Sequence, residues 1–143
     1  MKAFMCAFEG FHAAIPMDSV SSLSNLSDAD LPAGARAAAV TRDAENGIVY
    51  VSLPALLGRP LDKIRHGVSL KESDSHGGNK IVLLGAEITS ATEIPDGEMR
   101  PIPRSLEGTE LAELFRGARC DGGLVLLLDA ERLALRALRE TAG

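Results

Sequence analysis

Gly122-Gly-Leu-Val-Leu-Leu-Leu-Asp-Ala-Glu-Arg-Leu-Ala-Leu-Arg-Ala-Leu138 is the stretch from which the rest of the chain is best read. It opens on a two-glycine turn. Residues 124–128 form a five-residue apolar run, the length and character of a strand covered on both faces. Asp129 then stops the strand and can cap a helix, because its carboxylate accepts the orphan N–H groups of a first turn. Glu131 adds negative charge near the positive end of the helix dipole. Leu133, Ala134, Ala137 and Leu138 fall at helical spacing with arginines between them, which predicts a helix over 130–139.

The same device occurs earlier, in Ile48-Val-Tyr-Val-Ser-Leu-Pro-Ala-Leu-Leu-Gly58. Here 48–51 is the strand and Ser52 the cap. Pro54 is tolerated because the N–H it lacks has no helical partner in a first turn. Gly58 ends the short helix. Two strand–cap–helix units of similar design point to a pseudo-repeated architecture.

Working outward, residues 3–8 alternate as a strand, Glu9-Gly10 reads as a tight turn, and 11–15 return. Pro16 ends that ladder. Residues 17–26 form a weaker segment with Val20 and Leu23 facing inward, and 27–34 a loop. Asn46-Gly47 is a hairpin signal that pairs 37–41 with 48–51. Residues 59–67 are a polar connector, 68–71 a short alternating piece, and 73–79 an exposed turn carrying His76. Residues 80–88 read as a strong strand continued by 89–94. Pro95-Asp-Gly97 is a turn in which the glycine takes the positive angle. Thr109 caps a helical turn with Leu111, Leu114 and Phe115 on one face, and 117–123 lead back to the last strand. Short strands, turns and a few short helices amount to a mainly β protein of small barrels.

Composition narrows the function. The 143 residues fit one domain able to bury a core. With no Trp, one Tyr and a net charge of −5, the chain has little for stacking on bases or for anionic surfaces, which argues against nucleic acid. No apolar stretch approaches the ~20 residues of a membrane span, and the acidic Glu9 comes too early for a signal core, so the cytoplasm is expected. Cys6 and Cys120 stand alone and read as small hydrophobes. His12, His66 and His76 show no metal-ligand spacing, and no nucleophile elbow, phosphate loop or dinucleotide fingerprint is present. Neither a catalytic constellation nor a cofactor is expected.

The order of these motifs resembles the CheW-like adaptor domain of bacterial chemotaxis, with this chain as a divergent member. Phe4-Met-Cys-Ala-Phe-Glu-Gly-Phe-His-Ala-Ala-Ile-Pro-Met-Asp-Ser-Val20 looks like that family's first hairpin. Val49-Tyr-Val-Ser-Leu-Pro-Ala-Leu-Leu-Gly58 is similar to its Pro-Val-Val-Asp-Leu-x-x-Leu-Leu-Gly segment. Asn79-Lys-Ile-Val-Leu-Leu-Gly-Ala-Glu-Ile88, with Glu93-Ile-Pro95 and Arg100-Pro-Ile-Pro103, resembles its second-barrel hairpin, and residues 122–133 its closing strand. The chain departs from the family where Asn-Leu-Arg-Gly is usual: it reads Val40-Thr41-Arg42-Asp43. Ser52 and Ala86 stand where Asp is common.

The resemblance implies two intertwined SH3-like five-stranded barrels with short helices and a C-terminal helix, forming one CheW-like domain over 1–143. It implies a non-catalytic adaptor coupling a chemoreceptor to a CheA-type histidine kinase, without membrane insertion; self-association stays open. The alternatives are a degenerate barrel scaffold with another partner, or a small enzyme or ligand binder reusing the fold. The expected partner-binding residues are Arg42, Ile48, Val49 and Tyr50. An arginine pairs with a carboxylate while its stem packs on apolar neighbours.

Overall fold

The computed structural model describes residues 1–8, 11–32, 34–35, 38–56, 66–85, 88–102, 113–119 and 123–142. Among the described residues there are ten strands, with short helical turns between some of them: β1 (Lys2–Phe8), β2 (Phe11–Pro16), β3 (Val20–Asn25), β4 (Val40–Asp43), β5 (Ile48–Ser52), β6 (His66–Leu70), β7 (Lys80–Gly85), β8 (Ile88–Glu93), β9 (Phe115–Arg119) and β10 (Leu124–Leu128). The α-helices among the described residues are α1 (Leu53–Leu56) and α2 (Ala130–Ala142). The fold is mainly β, as the turn-punctuated sequence predicts.

The strands form two five-stranded sheets, β8-β1-β2-β10-β9 and β3-β6-β7-β5-β4. The chain divides into two compact units, Met1–Ser19 with Ile88–Leu133, and Val20–Glu87 with Ala134–Gly143. It therefore leaves the first unit, completes most of the second, and returns.

In the first unit β1 and β2 are antiparallel, β2 and β10 are parallel, and β10 and β9 are antiparallel. In the second, β6 and β7, β7 and β5, and β5 and β4 repeat that sequence of senses. The two sheets share one pattern but enter it at different points of the chain. Both strand–cap–helix units occupy the same place: the strand lies parallel to a neighbour on one side and antiparallel to its hairpin partner on the other. Side chains on both faces of each strand are buried or partly buried, which explains their near-continuous apolar runs. Val49 and Val51 are fully buried, as is Leu128, and Val125, Leu126 and Leu127 are almost so.

The correspondence continues into the connections. Leu26 follows β3, and Ile94 follows β8. A 3-10 turn comes next in each unit, Asp28–Asp30 and Asp96–Glu98, and then Leu31 and Met99 at matching positions. Ile94 and Met99 pack with Ala3, Ala14, Val125 and Leu127 in the first core. Leu26 and Leu31 pack with Ala35, Val82 and Leu84 in the second.

The units differ just after that point. In the first, the Arg100 N–H donates to the Ala118 carbonyl at 2.7 Å and the Ala118 N–H donates back at 2.8 Å, so residue 100 covers the outer edge of β9. Gly117 makes room for it: a Cβ there would lie 3.3 Å from the Arg100 carbonyl oxygen and 3.3 Å from Met99 Cε. The matching position in the second unit is Pro32, which has no N–H to give.

Several sequence expectations are corrected. Residues 80–94 are not one continuing strand: β7 and β8 belong to different sheets, with Gly85 ending the first. Leu23 is 41% exposed, because β3 is an edge strand. Gly97 does not take a positive φ; the Glu98 N–H closes the turn onto the Pro95 carbonyl at 3.0 Å. Phe115 opens β9 rather than continuing a helix, and 117–119 are strand. His66 and Gly67 begin β6 rather than ending a connector. His76, expected on an exposed tip, is 3% exposed. The expected Glu9-Gly10 turn, the Gly58 helix end, the Thr109 cap, Ala86 and Cys120 lie outside the described residues.

Candidate partner-binding surface

The expected contact residues lie on one hairpin. Asp43 organises its turn: the Asn46 backbone N–H and side-chain amide donate to the two Asp43 carboxylate oxygens at 3.3 and 2.8 Å. Gly47 then takes φ 64°, a left-handed conformation that glycine adopts without a Cβ penalty. This turn sets the register Val40↔Val51, Thr41↔Tyr50, Arg42↔Val49 and Asp43↔Ile48.

Residues directly opposite in an antiparallel pair share a face, and neighbours along a strand alternate. The four expected residues therefore divide. Arg42 shares a face with Val49, which is completely buried and belongs to the core rather than to a surface. Ile48 and Tyr50 lie on the opposite face, half-buried against Ala35, Val82 and Leu84. Arg42 is exposed at the sheet margin, since β4 ends the strand order. Among the described residues it has no ion-pair partner.

The Tyr50 face carries negative charge. Burial first, and then the carboxylates of Asp43 and Asp30, push the Tyr50 hydroxyl above its ordinary value. The charges bear on Tyr50 because burial on this face weakens solvent screening. Asp30 is itself held below the usual carboxylate range by the Ser27 N–H and hydroxyl, which donate to it at 2.9 and 3.0 Å. The hairpin thus presents a lone cation on one face and half-covered apolar groups beside carboxylates on the other.

Each strand–cap–helix unit carries the cap expected from sequence. The Ala55 N–H donates to Ser52 Oγ at 3.3 Å, and the Arg132 N–H to Asp129 Oδ1 at 3.1 Å. The structural feature that sequence reading missed is which backbone groups the hairpin turns outward. The Asn46-Gly47 signal carries that information only through the register it dictates.

Elsewhere, a shallow cleft is lined by Glu72, Ser73, Asp74, Gly77, Gly78 and Asn79. Among the described residues no group of three or more His, Cys, Asp or Glu side chains is placed to hold a metal ion. Cys6 is buried in β1. No described helix is long and apolar enough to cross a membrane.

No protein-family model matches the sequence, and no curated protein does. Comparison of folds gives a different result. The chain is similar to the scaffolding protein TtCheW from Thermoanaerobacter tengcongensis, with a TM-score of 0.60, over 90% of this chain and 88% of that one, at 12% sequence identity. At that identity the likeness is one of fold, and it extends through both five-stranded units. The chain has a CheW-like fold: two SH3-like five-stranded subdomains with a C-terminal helix, in a sequence far diverged from the scaffold it resembles.

Proposed function

We propose that this protein is a non-catalytic adaptor acting as one CheW-like domain, which couples a chemoreceptor to a CheA-type histidine kinase through protein–protein contacts in the cytoplasm. The observation that carries this reading is the likeness of fold to a scaffolding protein over nearly the whole chain. The hairpin of β4 and β5 supports it locally. The family motif is reduced there to its arginine, and Arg42 stands exposed and without an ion-pair partner among the described residues. Arg42 supplies the charged contact, with Ile48 and Tyr50 offering apolar contact on the other face; Val49 holds the strand in place from the core.

The test is a calorimetric titration against the chemoreceptor signalling fragment and the histidine kinase of the same genome. It uses wild type, Arg42→Ala and Arg42→Glu. The adaptor reading expects saturable binding by wild type, weaker binding by Arg42→Ala and the weakest by Arg42→Glu. No binding of wild type to either protein rejects the chemotaxis adaptor and favours a scaffold with another partner. Equal binding by all three keeps the adaptor and moves the interface away from Arg42.

A further inference from the structure

The hydrogen-bond alternation of the β4–β5 hairpin decides what its outer edge offers. The Ser52 N–H donates to the Ala39 carbonyl at 2.9 Å, so residues 39 and 52 form a hydrogen-bonded pair. Such pairs alternate along an antiparallel ladder. Thr41 with Tyr50 is the next bonded pair in the register, and Arg42 with Val49 falls between. The N–H and C=O of Arg42 therefore point away from β5, toward the margin of the sheet. Those of Val40 do the same.

In the first unit the matching residue is Ala118. It lies opposite Leu126 as Arg42 lies opposite Val49, and its outward N–H and C=O are both taken by Arg100. Two local differences remove that cover from the second unit. Pro32 replaces Arg100 and has no N–H, and Thr41 replaces Gly117, whose missing Cβ admits residues 99 and 100 so closely. Among the described residues no backbone group bonds the outward N–H or C=O of Arg42.

We propose that the outer edge of β4 accepts an extended segment of a partner protein as an added strand, with a carboxylate of that segment placed beside Arg42. Backbone pairing supplies the binding, as in other edge-strand recognition, and the side chains supply the selection. Arg42, the one cation of β4, is exposed without an ion-pair partner among the described residues and calls for an acidic neighbour. It also argues against a second copy of this chain: two β4 edges paired antiparallel about Arg42 would set arginine against arginine, and like charges directly opposite are destabilising. The proposal rests on the adaptor reading for its partners, the receptor and the kinase.

Amide hydrogen exchange tests it, on the wild-type protein free and in the presence of the receptor fragment or the kinase. Val40 and Arg42 amides should exchange quickly in the free protein and slow by about tenfold or more in one of the complexes. The Thr41 amide, bonded within the hairpin, serves as the internal reference and should be slow in both. Arg42→Ala should keep the protection while weakening binding by about two- to fivefold, the scale of one exposed ion pair. Binding without protection of Val40 and Arg42 overturns the added strand and leaves the adaptor intact. Binding of neither protein overturns both. Protection that grows with protein concentration alone makes a second copy the occupant and overturns the proposed partner.

Discussion

Asp129 accepts the backbone N–H of Arg132 at 3.1 Å, one turn into the helix that its strand feeds. Its backbone is fixed as well: the Asp129 N–H donates to the Leu114 carbonyl at 2.7 Å, and its own carbonyl accepts from Leu133 at 3.1 Å. The carboxylate also lies 3.5 Å from the Arg132 side chain. Asp129→Ala should therefore destabilise the protein by about 0.5–2 kcal/mol, read as a lowered denaturant midpoint at unchanged slope. Asp129→Asn keeps the acceptor and loses only an exposed ion pair, so its midpoint should fall much less. Equal losses in the two variants would assign the effect to charge rather than to capping.

Ser52 performs the same task for α1, but inside the core, where it is wholly buried. Ser52→Ala removes the acceptor for the Ala55 N–H and should cost about 1–2 kcal/mol. Urea denaturation compared with Asp129→Ala would show whether the buried cap is worth at least as much as the partly exposed one.

What the sequence makes legible follows from how locally each feature is determined. The caps, the Asn46-Gly47 turn and the strands at 48–51 and 124–128 depend on a few adjacent residues, and they stand where the pattern predicts. The pseudo-repeat was visible for the same reason. Strand β9 was not, because Phe-Arg-Gly-Ala-Arg has no clear alternation; Gly117 and Ala118 are buried by the approach of Met99 and Arg100, a long-range event. The division of 80–94 between two sheets was hidden because both halves contain strand-favouring β-branched residues, Ile81 and Val82 in the first and Ile88, Thr89 and Thr92 in the second, so strand propensity continues across the boundary. At the candidate surface, Arg42 could be singled out from the family motif, but its separation from Ile48 and Tyr50 is a consequence of pleat and register.

Gly67 sits where β6 passes beneath Leu26. A Cβ there would lie 2.6 Å from Leu26 Cδ1 and 3.2 Å from Val82 Cγ1. Leu26 can swing its end away, whereas β-branched Val82 is stiff at χ1. Gly67→Ala should cost about 1–3 kcal/mol by overpacking. In a Leu26→Ala background the same change should cost less, giving a coupling of at least ~0.5 kcal/mol in a double-mutant cycle. Strict additivity would show that Val82, rather than Leu26, is the obstacle.

Tyr50 is the only tyrosine in the chain, so the ultraviolet absorbance of phenolate reports it alone. Its hydroxyl titrates above the ordinary value of 10.0, mainly through burial and then through Asp43 and Asp30. The folded state thus holds this proton more tightly than the unfolded state. Stability from Tyr50 is complete below the unfolded value and is lost as pH rises from there through the folded one. Wild type should lose more stability on going to strongly alkaline pH than Tyr50→Phe, measured by denaturant midpoints across that range. Asp43→Asn should bring the phenolate transition partway back toward the ordinary value. A transition unmoved by Asp43→Asn would leave burial and Asp30 as its causes.

The Arg100–Ala118 bridge offers the complementary test of how the two units differ. Ala118 is 1% exposed, so losing its partner strands a buried carbonyl rather than handing it to water. Arg100→Pro imposes on the first unit the residue that the second carries at Pro32. It should cost about 1–3 kcal/mol, the penalty for one buried backbone group left without a partner. The Ala118 amide, which donates to the Arg100 carbonyl at 2.8 Å, should then exchange faster than in wild type while the Thr41 amide in the second unit stays unchanged. Arg100→Ala keeps the N–H and should leave both the exchange pattern and the midpoint close to wild type. If Arg100→Ala were as damaging as Arg100→Pro, the side chain rather than the backbone bridge would be what covers the β9 edge.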